Sequence, residues 1–273
     1  MDMRMRRAWL VACVCLAGVA HAQSPEQALV RAVVANELEA QSHPAAKWAY
    51  TLEKKNASGT KVTRIIETRD GLVGRLLEIN GKPLDAITEK NEEHRLNELK
   101  RDPRQMRQKL SRQERDRDRV LKIVRALPNA LIFSEQSHSG DEEVLAFRPN
   151  PTFQPQNFEE SILKAMTGTV TIALAEKRLV ALHGNLVSDV NIGLGIVGKV
   201  QKGGTLDLEQ ERVGDRSWEI RRLSLKVMGR AVFKHVDLSV EENVSDFQPV
   251  KEGMSAAEAI DILLQMPQGT GAK

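Results

Sequence analysis

Residues 205–241, TLDLEQERVGDRSWEIRRLSLKVMGRAVFKHVDLSVE, contain three strand-like segments in succession, and this succession decides the fold. Each segment alternates apolar and polar residues, as a strand with one buried face does. The predicted strands are 205–212, 217–228 and 230–241. Because only short turns separate them, we expect the strands to pair antiparallel, since parallel pairing requires a long crossover connection.

The apolar phase changes inside the middle segment. Trp218 and Ile220 share one parity along the strand, whereas Leu223 and Leu225 share the other. One extra residue would return both pairs to a common face. We therefore predict a β-bulge near Arg221-Arg222, which would also curve the sheet.

Similar strand patterns lie on both sides of this region. They predict strands at 47–55, 61–69, 72–79, 131–137, 143–148, 170–174 and 178–189. Helices are predicted at 24–41, 158–166 and 256–265. We therefore predict an α+β protein in which a curved antiparallel β-sheet, an incomplete β-barrel, is covered by helices.

Residues 84–126 differ from the rest of the chain because they are dense in charged residues and contain no glycine. Their one proline, Pro103, follows Asp102 and predicts either a long helix or a helix pair broken at this point. The run Arg115–Arg119 alternates in charge sign, which is typical of a solvated helix face. The alternative to a solvated face is that this helix provides a docking surface for a membrane or a protein partner.

The first 22 residues have the pattern of a signal peptide. A basic region ending at Arg7 precedes an apolar run at 8–20, and Ala20-His21-Ala22 provides small residues at the cleavage positions. We expect cleavage before Gln23 and a periplasmic location. The alternative is a lipid-anchored form in which Cys13 becomes the first residue.

The expected organisation after the signal peptide at 1–22 is a single domain at 23–267 and a disordered tail at 268–273. The full chain has 40 Lys and Arg against 37 Asp and Glu; without residues 1–22, which hold three arginines and one aspartate, the numbers are 37 and 36. This near-neutral balance gives no support for a nucleic-acid partner. Both cysteines, Cys13 and Cys15, also lie in 1–22, so the remaining chain has no disulfide or thiol chemistry.

The stretch 190–199, VNIGLGIVGK, resembles a nucleotide-binding loop because Gly193, Gly195 and Gly198 fit G-x-G-x-x-G. That fingerprint requires a helix directly after the glycines to hold the pyrophosphate. Here a further turn and the strand pattern from Thr205 follow instead. We therefore predict a single glycine-rich strand that lets the sheet bend, with no nucleotide and no cofactor.

Other motifs give no positive indication of catalysis. Ser161 and Lys164 match S-x-x-K, but the S-D-N and K-T-G motifs that accompany it in β-lactamases are missing. The histidines lack paired metal-ligand spacing, which predicts no metal site. A pair of glycosidase carboxylates remains an open alternative. Aromatic residues make up only 4% of the chain, however, and sugar-binding clefts usually stack sugars against many aromatic rings. We predict a protein without catalytic residues, with an unrecognised exported hydrolase as an alternative.

Several segments resemble the LolA-like periplasmic lipoprotein carriers, especially outer-membrane lipoprotein-sorting-like proteins. They are Trp218-Glu-Ile220, Gly229-Arg-Ala-Val-Phe-Lys234 and Val244-Ser-Asp-Phe247, with a looser likeness at 169–174 and 179–183. The likeness runs over about 45–250 and is strongest after Phe153. It implies a half-barrel whose apolar interior shields the acyl chains of a lipid or lipoprotein in transit, with a helical lid that moves to release them.

The resemblance also implies which side chains line such an interior. The candidates are Trp48, Tyr50, Leu52, Val170, Ile172, Leu174, Ile220 and Phe233. The alternative for each is ordinary core packing. The long charged segment at 89–122 departs from the family pattern, and we expect it to serve as the lid or to be an unrelated insertion. A further alternative is an envelope sensor that uses the same fold, with the charged helix as the docking surface for a protein partner.

Overall fold

The computed structural model describes residues 24–42, 46–192, 198–215, 217–231 and 234–267. Within these residues thirteen strands form one open antiparallel sheet, and five helices pack against it. The predicted α+β class is confirmed, as is a curved sheet that does not close into a barrel. The predicted signal peptide at 1–22, the predicted tail at 268–273 and Phe233 lie outside the described residues.

The elements follow the chain in this order. The helices are α1 (Pro25–Ser42), α2 (Ala86–Arg101), α3 (Pro103–Ala130), α4 (Phe158–Leu163) and α5 (Ala256–Gln265). The strands are β1 (Trp48–Asn56), β2 (Gly59–Thr68), β3 (Gly71–Ile79), β4 (Lys82–Pro83), β5 (Leu131–Ser139), β6 (Glu142–Pro149), β7 (Met166–Ala173), β8 (Arg178–Leu186), β9 (Val190–Ile192), β10 (Gly198–Val200), β11 (Thr205–Val213), β12 (Ser217–Ala231) and β13 (Lys234–Pro249). Across the sheet the order is β4-β3-β2-β1-β13-β12-β11-β8-β7-β6-β5, and β10 joins β9 to the far end of β12.

The predicted bulge in β12 is present. Glu209 pairs with Arg222, but the next residue of β11, Gln210, pairs with Ile220. Arg221 is therefore the extra residue of β12 at this point. The bulge places Ile220 on the same side of the sheet as Leu223, which the change of apolar phase required.

The predicted end of the middle strand at Met228 is wrong. Strand β12 continues through Gly229 to Ala231, and β13 begins at Lys234. A Cβ on Gly229 would lie 2.7 Å from the backbone oxygen of Lys199 on β10. The glycine therefore permits the close approach of a neighbouring strand and does not form the turn.

The prediction of a single glycine-rich strand at 190–199 is also wrong. The short strands β9 and β10 pair antiparallel, with Gly198 opposite Ile192, so the chain reverses between them. Residues 193–197 lie outside the described part of the chain. The element that follows Gly198 is a strand, whereas a dinucleotide fingerprint requires a helix there.

The strand register assigns side chains to two faces, because directly opposed residues of paired strands project to the same side. One row of opposed residues crosses most of the sheet. It consists of Lys54, Glu242, Leu223, Leu208, Leu182, Val170 and Leu145. We call the side carrying this row the inner face and the opposite side the outer face.

Two hydrophobic cores lie on opposite faces of this sheet. The first core is on the inner face of β5–β8, where α1, α4 and the end of α3 pack. Its buried residues include Val30, Val33, Ala130, Phe133, Leu145, Phe147, Leu163, Val170 and Ile172. The second core is on the outer face of β1–β3 and is formed with α2 and α5. Its buried residues are Ala49, Ile66, Val73, Leu96, Leu99, Ala256, Ala259, Ile260 and Leu263.

The charged segment forms the predicted helix pair. Asp102 separates the helices, and its carboxylate accepts hydrogen bonds from the backbone N–H groups of Arg104 at 2.8 Å and Gln105 at 3.4 Å. Pro103 is the first residue of α3. Proline is tolerated there because an N–H group at this position would have no hydrogen-bond partner within the helix. Met106 packs against the second core and Leu127 against the first, so α3 links the two cores.

Side chains of α2 and α3 also cover the exposed edge of β3, which pairs with β4 only at its far end. They supply hydrogen bonds to backbone groups that would otherwise face solvent. The pairs are Gln113 with Leu72, Arg95 with Gly74 and Glu92 with Leu76. Covering an edge strand prevents its pairing with another chain. Among the described helices, none is both long and apolar enough to cross a membrane.

Candidate functional site

The inner face of the central strands carries apolar side chains that belong to neither core. All of them are partly or largely exposed in the described chain, and Leu238 retains 43% of its accessible surface. These residues are Leu52, Leu208, Leu223, Leu225, Val227, Leu238, Val240 and Val244. We call this set the central apolar surface.

The outer face of the same strands is polar. Residues that alternate with the central apolar surface project there, and most are charged. They include Glu53, Lys55, Asp207, Glu209, Arg222, Lys226, Ser239, Glu241 and Asn243. The inner face is therefore the more apolar of the two, although the Lys54–Glu242 ion pair lies on the inner face and Met228 on the outer face.

The sequence-predicted lining residues fall into separate groups. Trp48, Tyr50 and Leu52 alternate along the inner face of β1, and Ile220 lies on the inner face of β12 at 39% exposure. Two others, Val170 and Ile172, lie in the first core, where they are buried. Leu174 follows the end of β7, and its N–H donates to Asp141 O at 2.8 Å.

Phe247 joins two of the predicted residues in an aromatic cluster. Its ring centroid lies 6.2 Å from that of Trp48, edge to face, and 5.6 Å from that of Tyr50. A register shift between Ala49 and Thr51 in the β1–β13 pairing accompanies this arrangement. Alternation alone could not place Phe247 here, because a bulge reverses the faces beyond it.

A cleft of about 990 Å³ opens near the Trp48 end of β1. Its walls are the last turns of α1, the middle of α3, and the strand ends at β2, β8, β11 and β12. Charged residues dominate these walls. They are Glu39, Lys47, Glu67, Arg69, Glu114, Arg117, Glu176, Arg178, Arg212, Asp215 and Glu219. The cleft therefore differs in chemistry from the central apolar surface.

Glu67 and Glu219 are the unusual charged groups of this cleft. Burial raises the pKa of Glu67, although its carboxylate accepts a hydrogen bond from the backbone N–H of Trp48 at 3.0 Å. Burial, followed by the charge of Glu67, raises the pKa of Glu219 to about 7. Within the described residues neither carboxylate forms a salt bridge. When two carboxylates share a partly buried site, burial and the repulsion between their charges favour the protonated form.

Two aromatic side chains adjoin the acids. Burial, with the negative charges of Glu67 and Glu219, raises the pKa of Tyr50. Trp48 is 7% exposed. Its indole N–H is directed towards the Glu219 carboxylate and lowers the pKa of Glu219, although the contact does not reach hydrogen-bond geometry. Trp218 lines the cleft itself.

Other charges of the cleft are already paired. The Arg178 guanidinium donates to both carboxylate oxygens of Glu37, at 2.9 and 3.1 Å. Arg212 lies 3.5 Å from the Glu176 carboxylate. These partners hold the two arginines against α1 and the β7–β8 turn, so neither neutralises Glu67 or Glu219 directly.

The Ser161–Lys164 motif does not form a nucleophile and base in this structure. The Ser161 hydroxyl donates to Asn157 O at 2.9 Å, and the Lys164 ammonium donates to Phe153 O at 2.6 Å. The residues that the structure describes contain no group of three or more metal-ligating side chains.

The arrangement is suited to binding, because it combines an apolar surface with a separate charged cleft. Sequence reasoning missed the cleft, since Glu67 and Glu219 are far apart along the chain and neither lies in a motif. Compared with known proteins, the chain matches no family model, no curated protein and no solved structure.

Proposed function

We propose that this protein is a periplasmic carrier that shields the acyl chains of a lipid or lipoprotein on its central apolar surface. The observation that supports the proposal is the surface itself: eight aliphatic residues share one face of a curved sheet and lie outside both cores. The Lys54–Glu242 ion pair, at 2.7 Å, lies on the same face and separates Leu52 and Val244 from Val240. Exposed apolar surface of this extent is nevertheless uncommon on soluble proteins and usually indicates an interaction site. The resemblance to LolA-like carriers and the signal-peptide pattern support the same proposal.

The energetics suit a carrier. Each buried methylene contributes about 0.8 kcal/mol, so burial of roughly twelve methylenes contributes about 10 kcal/mol before the loss of chain and rotational entropy is subtracted. Binding of this kind needs no covalent step. Transfer then requires only that the ligand move to a second apolar site.

Adjacent residues of β13 provide a matched test. Val240 projects from the inner face and Ser239 from the outer face. Glutamate at 240 would place a carboxylate within the apolar surface, whereas glutamate at 239 would meet solvent. Titration of the full chain with a fluorescent fatty acid should show at least about a tenfold loss of affinity for Val240→Glu and little change for Ser239→Glu. Equal affinities for both variants would contradict the proposal.

A further inference from the structure

We propose that the charged cleft binds an ammonium group, held between the carboxylates of Glu67 and Glu219 beside the indole rings of Trp48 and Trp218. This inference concerns a second site and does not depend on lipid binding at the central apolar surface. The ammonium could be carried by a lipid headgroup or by a free amine, and the chemistry that recognises it is the same.

The first argument is the missing counter-charge. Glu67 and Glu219 both line the cleft. Within the described chain, neither carboxylate forms a salt bridge. The nearest cations act on them only at longer range: Lys47 lowers the pKa of Glu67, and Arg178 lowers that of Glu219. Partly buried acids that lack a paired cation provide a site for a cation from outside the chain.

The second argument is the buried indole. The Trp48 N–H has no hydrogen-bond partner among the described residues, although Trp48 is almost fully buried and this N–H is directed towards Glu219. A small shift of the carboxylate on ligand binding would complete this bond. A deprotonated Glu219 is the better acceptor, so a bound cation and the Trp48 bond favour the same charged form.

The charges around the site favour a cation over an anion. The groups that face Glu219 come from four elements: Glu67 on β2, Trp48 and Tyr50 on β1, Arg178 on β8 and Glu37 on α1. Arg178 and Glu37 neutralise each other through their ion pair. Of the other titratable groups, Lys47 offsets part of the charge of Glu67. When both carboxylates are ionised the balance is still negative, which would repel a phosphate or carboxylate ligand.

The wider cleft wall adds charges of both signs. Those on α3 are Glu114 and Arg117, and those on the strand ends and turns are Lys47, Arg69, Glu176, Arg212 and Asp215. Arg212 is paired with Glu176. Because Trp218 also lines the cleft, an ammonium group there would have an aromatic ring available as well as carboxylates.

Binding of a cation should release protons. With its pKa raised to about 7, the Glu219 carboxyl is partly protonated near neutral pH, and a bound ammonium favours its ionised form. Affinity for a cation should therefore increase between about pH 5.5 and about pH 8, as Glu219 becomes ionised.

The test is calorimetric titration of the full chain with hexyltrimethylammonium bromide, with sodium hexanesulfonate as the anion of equal chain length. We expect the cation to bind about tenfold more tightly than the anion at about pH 8, and to release protons when buffers of different ionisation enthalpy are compared. The double variant Glu67→Gln, Glu219→Gln should lose this preference. Glu114→Gln, an exposed residue of the same cleft, is the matched control and should retain it.

Two results would overturn the proposal: equal binding of cation and anion by the natural chain, or an unchanged cation preference in the double variant. Neutral glutamines relieve the burial of charge, so the double variant is expected to fold. Titration with ethanolamine and with phosphatidylethanolamine vesicles then separates a free amine from a lipid headgroup. The fatty-acid titration with Val240→Glu reports on the central apolar surface alone, so failure of either proposal is recognised independently.

Discussion

The inner face of the sheet has the same alternating pattern at its β5–β8 end and in its centre, yet helices bury only the end within the described chain. Leu145 and Leu223 lie in one row of opposed residues and have the same chemistry. Leu145 is fully buried beneath helices, whereas Leu223 is partly exposed. The comparison teaches that strand alternation defines an apolar face but does not say whether the chain itself covers it.

The largest expected effect separates these two positions. Leu145→Ala should lower the free energy of unfolding by about 2–5 kcal/mol, because it leaves a cavity in a closed core. Leu223→Ala should cost less than about 1.5 kcal/mol, since fewer protein atoms surround its side chain. Urea unfolding of the two delipidated variants measures both values. Equal losses would mean that the centre is packed as tightly as the end.

An intermediate effect concerns the acids of the cleft. The folded-state pKa of Glu219 is raised to about 7, above the ordinary value of 4.5, so folding favours its protonated form. The stability of the natural chain should therefore fall as pH rises from about 4.5 through about 7, whereas Glu219→Gln should lack this part of the pH dependence.

After allowance for partial solvent exposure, we expect the difference between the natural chain and Glu219→Gln to reach about 1–2 kcal/mol at about pH 8. Thermal or urea unfolding across this pH range measures it. Glu114→Gln is again the control. A natural chain that became more stable relative to Glu219→Gln at high pH would contradict the assigned direction.

The smallest effect tests the covered edge of β3. Gln113→Ala removes one hydrogen bond to Leu72 N and one to Leu72 O. We expect a loss of about 1 kcal/mol and faster hydrogen exchange at the Leu72 amide. Gln108→Ala, at an exposed position of the same helix, should change neither. Unchanged exchange in the Gln113 variant would show that the helix side chain does not protect this edge.

Much of the fold could be predicted because its signals are local. Pro103 ended one helix and began another, and the phase change around Arg221 located a bulge. The capping box of Ser255 and Glu258 is formed at the start of α5. Each of these features depends on residues only a few positions apart, which the sequence displays directly.

Other features depend on distant contacts and have no local signal. Gly229 resembles a turn residue, but its role is to admit β10, which comes from residues about thirty positions earlier. The placement of two cores on opposite faces follows from how helices return to the sheet. Glu67 acts on the charge of Glu219 although β1 and β13 lie between β2 and β12 in the sheet, so neither a local pattern nor the pairing of neighbouring strands displays this proximity.

The central claim is that the uncovered centre of the inner face carries acyl chains. The most direct test is mass spectrometry of organic extracts from the full chain, exported to a Gram-negative periplasm and purified without detergent. We predict roughly one acyl-bearing molecule per chain, lost in Val240→Glu and retained in Ser239→Glu. Absence of lipid from the natural chain, with a bound protein in its place, would contradict the carrier and favour the envelope sensor.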